Sequence, residues 1–247
     1  MKKKLLIPLG IVLCFAVILT TVFYLYCSDI YQAQPAAALA LEETSSIGIS
    51  VIDDGTTMFT PPGNPEYGFI FYPDAKTDSV SYAPLMVKLA SRGVKCFCVE
   101  MPLHMPNFGR NKADGIISSY SKIKHWYIGG HGFGGEMAAD FAGSHSDKLD
   151  GLVLMAAYSA KDISGSGLKV LSVYGNADRV LDMQQYEAFH SNLPGNANEC
   201  IIQGGCYSYF GNYGKHDGDG VPNISRDEQM DEVCRLISES MKETPTT

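Results

Sequence analysis

The pattern of apolar and polar positions divides the chain into two parts. Leu5 to Tyr26 is an uncharged, almost wholly apolar run that follows Lys2, Lys3 and Lys4. At about 1.5 Å of rise per residue, a helix of that length crosses the roughly 30 Å hydrocarbon layer of a bilayer. A secretory signal has the same basic start but an apolar core of only about 7–15 residues. Residues 1–27 are therefore expected to be an uncleaved transmembrane anchor. The alternative is a cleaved signal, cut in the small-residue stretch Ala36-Ala37-Ala38, which would give a secreted protein. A lipoprotein is disfavoured because Tyr26 precedes Cys27, where a small residue is needed. The lysines should stay cytoplasmic, giving a single-pass protein of the cell membrane with its main domain outside. Residues 28–46 are small, polar and proline-containing, and are expected to be a juxtamembrane linker.

From about Ile47 the pattern changes to short apolar runs between amphipathic stretches. Ile47 to Thr60 alternates as one or two short antiparallel strands, closed by Pro61-Pro62-Gly63. Strands are then expected at 68–72, 94–99, 125–129, 152–155, 168–174 and 199–203. Helices are expected at 79–91, 113–123 and 136–142, from Asp182 toward His190, and from Ser225 to about Met241. Asp182-Met-Gln-Gln185 and Ser225-Arg-Asp-Glu228 have capping-box spacing. Buried strands separated by helices predict an α/β fold of residues 47–247: a mostly parallel sheet of about six to eight strands, helices on both faces. Ligands in such sheets bind at the carboxyl ends of the strands, so chemistry is sought in the loops that follow them.

Composition narrows the functions. Without the anchor lysines, 16 basic residues face 27 acidic ones, a net charge near −11. That balance repels phosphate backbones and argues against a nucleic-acid partner. Seven cysteines in 247 residues are not a disulfide framework. Cys96 and Cys98, two apart in a strand, share a face and are expected to fill core. Cys200 and Cys206 could bridge in an oxidising compartment. No CxxC or HExxH occurs, and neither a metal nor a cofactor is expected.

The chemistry concentrates after the run at 125–129. Gly130-His131-Gly132-Phe133-Gly134, followed by a helix, has the strand, sharp turn and helix of a nucleophile elbow, G-x-S-x-G. Gly132 stands where the nucleophile belongs. The same glycines satisfy GxGxxG (Gly130, Gly132, Gly135). A dinucleotide site, however, needs that turn after the first strand and an acidic residue closing the next, and here the next run ends in Ala156-Ala157.

Six segments carry a resemblance: Phe71-Tyr-Pro73, Val99-Glu-Met-Pro102, His125 to His131, Ala156-Ala-Tyr-Ser159, Tyr174-Gly-Asn-Ala-Asp178, and Gly204-Gly-Cys to Gly211. In this order and spacing, over about 170 residues, they resemble the small α/β-hydrolase family of the fold-5 type. The resemblance implies a Ser-Asp-His triad with its acid at Asp178. It implies a histidine where Tyr207 stands, and oxyanion-hole donors from Phe133 and from the loop at Asp74 and Ala75. Gly132 and Tyr207 thus replace the nucleophile and the base. Tyr207 is expected to fill the histidine space and to bond Asp178 through its hydroxyl. His131 and Cys206 are candidates for the pocket, with His131 expected to pack as a structural neighbour of the apex and His216 to be a solvated loop histidine. The function expected is a membrane-anchored, extracytoplasmic hydrolase-family protein without serine-triad activity, its small-molecule ligand or protein partner left open. The alternative is an active hydrolase of small esters or amides with a relocated nucleophile, Ser208 or Cys206, or a water held by Asp178.

Overall fold

A computed structural model describes residues 2–42 and 46–242. Eight strands form one sheet among them: β1 (Gly48–Val51), β2 (Thr57–Thr60), β3 (Tyr67–Tyr72), β4 (Lys95–Cys98), β5 (His125–His131), β6 (Gly151–Met155), β7 (Lys169–Gly175) and β8 (Asn198–Ile202). Their order is β1-β2-β4-β3-β5-β6-β7-β8. The β1–β2 and β2–β4 pairings are antiparallel, and every other pairing is parallel. The helices are α1 (Lys2–Ser28), α2 (Pro35–Leu39), α3 (Ala83–Ala90), α4 (Pro106–Gly109), α5 (Lys112–Ser119), α6 (Phe133–Ser144), α7 (Met183–Ala188) and α8 (Arg226–Lys242).

Alternate residues of each central strand enter different cores. Phe69 and Phe71 of β3, with Val153 and Met155 of β6, face one layer, which holds Leu85, Met86 and Leu89 of α3 and Met230, Val233 and Ile237 of α8. Ile70 and Tyr72, with Leu152 and Leu154, face the other, which holds Ala113 and Ile116 of α5 and Ala138, Phe141 and Ala142 of α6. A strand buried on both faces needs no polar alternation, which explains the continuous apolar runs in the sequence. Cys96 and Cys98 lie in the α3 and α8 layer.

The expected helix over 79–91 is divided: Ser79–Tyr82 is a tight 3₁₀ turn, and the α-helix starts at Ala83. Pro84 lacks an N–H and its ring crowds the carbonyl four residues back, so carrying an α-helix through it would cost about 3 kcal/mol. Asp78 caps the turn by accepting the Val80 N–H at 3.0 Å. The Ser225–Glu228 capping box forms reciprocally: Glu228 Oε2 accepts the Ser225 N–H at 2.7 Å and Ser225 Oγ accepts the Glu228 N–H at 3.2 Å. At α7 only the forward half forms, Asp182 accepting the Gln185 N–H.

The segment read as a linker, 28–46, carries ordered structure where it is described. Tyr31 donates its N–H to the Lys76 carbonyl at 2.7 Å and accepts the Asp78 N–H at 3.0 Å, a one-residue parallel bridge. The Gln34 N–H reaches the Asn212 carbonyl at 2.9 Å, and Ala37 of α2 is fully buried. These docking contacts are largely main-chain hydrogen bonds, which leave no compositional trace. Glu43, Thr44 and Ser45 lie outside the described residues.

Candidate functional site

The elbow sits between β5 and α6. Gly132 has φ 51° and ψ −126°, a strained region that side-chain-bearing residues occupy only where the surroundings enforce it. The flanking glycines are there because the backbone passes too close for anything larger. A Cβ on Gly130 would lie 2.5 Å from the Gly134 carbonyl carbon and 2.6 Å from the Tyr72 oxygen. One on Gly134 would overlap the Pro73 carbonyl. The turn is held from beneath by the Gly132 N–H, donated to the Met155 carbonyl at 3.0 Å.

The space in front of this apex is filled by two side chains from distant loops. A Cβ on Gly132 would overlap the Tyr207 hydroxyl and lie 2.6 Å from Asp74 Oδ1. Tyr207 comes from the 3₁₀ turn Tyr207–Phe210 after β8, and Asp74 from the end of β3. Asp74 Oδ1 accepts the Phe133 N–H at 2.9 Å and the Ala75 N–H at 2.7 Å. Asp74 Oδ2 accepts the Tyr207 hydroxyl at 2.6 Å. The three expected oxyanion-hole positions thus converge, with the carboxylate occupying its own two N–H donors. Burial pushes the Asp74 carboxyl up despite the bonds from Tyr207, Phe133 and Ala75, which act the other way. Tyr207 is held well above the ordinary tyrosine range, by burial first and then by the Asp74 charge.

The expected bond from Tyr207 to Asp178 does not form: the tyrosine has one hydroxyl proton, and it goes to Asp74. Asp178 instead closes its own turn: Oδ1 accepts the Val180 and Leu181 N–H groups at 2.7 and 2.9 Å. Its Oδ2 is buried and has no hydrogen-bond partner. Burial raises the Asp178 carboxyl, with the backbone bonds to Leu181 and Val180 opposing and the nearby Asp219 adding to the rise.

Asp219, which the sequence did not single out, organises the surrounding loops. It accepts the Ser208 N–H at 2.8 Å and the Ser208 hydroxyl at 2.5 Å. More weakly, it accepts the Tyr207 and Arg179 N–H groups, each at 3.4 Å. The carboxylate therefore joins the loop of Tyr207 to that of Asp178. Its only sequence signal is the sharp Asp217-Gly-Asp-Gly220 turn. Ser208 is buried, donates to Asp219 and accepts the His216 N–H at 2.8 Å, so its hydroxyl is fully engaged. Cys206 is 1% exposed and its thiol is pushed up to about 12, by burial and then by Asp219. Cys200 and Cys206 are both free thiols.

His131 is fully buried and pairs through Nδ1 with the Tyr82 hydroxyl at 2.9 Å. Its ring lies 4.1 Å from that of Tyr207, centre to centre. Burial lowers it to about 3, so it stays neutral at any ordinary pH. His216 is half-buried, its ring edge-on to Tyr207 at 5.1 Å and tilted against Tyr31 at 4.8 Å. Glu136, in the first turn of α6, is a further acid that the sequence did not single out. Burial raises it to about 7, a bond from Tyr158 opposing and the Asp74 charge contributing. A cavity of about 710 Å³ lies elsewhere, at the opposite edge of the sheet, among His125, Asp150, Lys169 and Asn198.

Strand order, elbow and loop placement define a class. The alpha/beta hydrolase family profile matches residues 68–231, and the chain belongs to that family. No curated protein matches the chain. Among solved structures, it is similar to carboxyl esterase 2 from Tuber melanosporum, at 11% identity and TM-score 0.60, over 86% of this chain and 92% of that one. Est1E from Butyrivibrio proteoclasticus superposes with TM-score 0.59 at 14% identity, over 81% and 100% of the two chains. A protein described as a predicted CIB-like hydrolase from Thermoplasma acidophilum does so with TM-score 0.55 at 16%, over 78% and 99%. At these identities the likeness is one of fold.

Proposed function

We propose that this chain is a membrane-anchored α/β-hydrolase whose serine-triad chemistry has been dismantled and whose domain serves binding or structure outside the cytoplasm. The observation that carries the reading is the filled apex. Serine-triad acyl transfer needs a nucleophile at the elbow, a histidine to take its proton, and N–H donors open to the developing oxyanion. Position 132 offers no nucleophile, and position 207 offers a tyrosine kept neutral. The Phe133 and Ala75 N–H groups are already bonded to Asp74. The unpartnered Asp178 Oδ2 is what an orienting acid becomes when its imidazole N–H is lost. Two side chains considered as relocated nucleophiles are poorly suited: the Ser208 hydroxyl is bound to Asp219, and the Cys206 thiol stays protonated.

The anchor reading is supported by α1. Its stretch Gly10–Ser28 has a mean hydropathy of 2.3 and is almost entirely unburied by the domain. The three preceding lysines favour a cytoplasmic N-terminus. A fluorophosphonate probe on the detergent-solubilised full chain tests the loss of chemistry. No labelled serine is expected, and stoichiometric labelling mapped to one serine would refute the reading.

A further inference from the structure

The segment between β4 and α5 is built in a way the site does not explain. Leu103 and His104 both have left-handed backbone, at φ 55° and 53°, where residues with side chains are strained. Leu103 is nevertheless 43% exposed, and Phe108 of α4 is 50% exposed. Strain that places a leucine in water, beside a half-exposed phenylalanine, marks a surface shaped for an apolar partner.

The neighbouring element says which partner. Phe108 packs edge-on against Phe23 of α1, their rings 6.2 Å apart. Phe23 lies five residues inside the apolar stretch that ends at Ser28, so a helix crossing a bilayer would hold it about 7 Å below that end. Interfacial apolar side chains typically bury about 5–10 Å into the headgroup and acyl boundary. The helix end is tied to the domain at the same place. The Lys76 ammonium lies 4.5 Å from the Tyr26 ring and pairs with Asp29 at 3.4 Å, while the Lys76 N–H donates to the His104 carbonyl at 2.8 Å. Lys76 is two residues from Asp74, so this junction adjoins the filled elbow.

We propose that Pro102–Gly109 is a lip that enters the phospholipid interface beside α1, seating the carboxyl edge of the sheet, with its elbow, against the membrane. The proposal rests on α1 being a membrane anchor, and its test separates the two. In a Cys14→Ser, Cys200→Ser background, single changes Leu103→Cys, Phe108→Cys, Ile18→Cys and Lys122→Cys would each carry an environment-sensitive fluorophore. The full chain would be placed in phosphatidylethanolamine and phosphatidylglycerol nanodiscs. Lys122 precedes β5, at the far edge of the sheet, and serves as the aqueous reference.

Shallow lipid-borne nitroxides should quench the label at 103 and 108, deep ones the label at 18, and only aqueous iodide the label at 122. Quenching of 18 by lipid, with 103 and 108 open to iodide like 122, would overturn the lip and leave the anchor standing. Protection of 103 and 108 from lipid and iodide alike would mean that protein covers this surface, which also overturns it. Iodide quenching at 18 would remove the anchor and the lip together.

Discussion

Asp74 Oδ1 sits 2.9 and 2.7 Å from two backbone N–H groups, within the range of about 2.7–3.1 Å at which such donors stabilise an oxyanion. On the proposed reading the Asp74 carboxylate occupies the oxyanion hole, and restoring the triad alone should not restore activity. Gly132→Ser is expected to be inactive, and so is Gly132→Ser with Tyr207→His. Adding Asp74→Gly frees both N–H groups. The triple variant should hydrolyse p-nitrophenyl acetate at least about 10²-fold faster than the double, the usual worth of an oxyanion donor. Equal rates in double and triple variants would show that Asp74 does not block the hole. Tyr207→Phe keeps the ring and removes one donor from a buried carboxylate, which should cost about 1.5–3 kcal/mol in urea unfolding of the detergent-solubilised chain. At this scale the local pattern is legible: strand, turn and helix put Gly132 at the bend between β5 and α6, and Asp178 follows β7. It could not choose Tyr207's partner. Asp74 and Asp178 both stand in the loops around the elbow, and the bond that forms joins residues 133 apart in sequence.

Among the elements, α8 links stability to the site. It covers one face of the sheet with Met230, Val233 and Ile237, and its buried Gln229 clamps the residue before Tyr207. The Gln229 amide donates to the Cys206 carbonyl at 2.8 Å, and its oxygen accepts the Cys206 N–H at 3.0 Å. The helix start is fixed by the Ser225–Glu228 box, so Ser225→Ala should lower unfolding stability by about 1 kcal/mol, read from the urea midpoint. An unchanged midpoint would show that the cap is replaced by solvent. The strands and the Ser225–Glu228 box could be read from the sequence because each rests on a local pattern, whereas the Asp182–Gln185 box forms only by half. The clamp and the docking of residues 28–42 could not, since both are contacts between segments far apart in the chain.

At the scale of the whole molecule, carboxyl groups gather at one edge of the sheet, and their burial makes stability depend on pH. Glu136 is raised from the ordinary 4.5 to about 7, so the folded state binds a proton that the unfolded chain releases near 4.5. Its contribution is complete below about 4.5 and is lost as pH rises through about 7. Asp74 and Asp178, raised likewise, act in the same sense. The urea midpoint should therefore fall between pH 5 and pH 8, and Glu136→Gln should flatten that fall. A fall of equal size in the variant would assign the effect to other groups. The fold itself was accessible from the sequence because a doubly covered parallel sheet repeats its pattern. The filled site was not, because nothing local distinguishes an aspartate that blocks a hole from one that caps a turn.

The most direct measurement is hydrolysis of p-nitrophenyl acetate and butyrate by the detergent-solubilised full chain beside its Asp178→Ala variant. Equal rates, no faster than protein-free detergent, are expected of an elbow occupied by its own Tyr207 and Asp74. Turnover by the wild-type chain well above that of the variant would mean that a working nucleophile and base exist and that the apex is not closed.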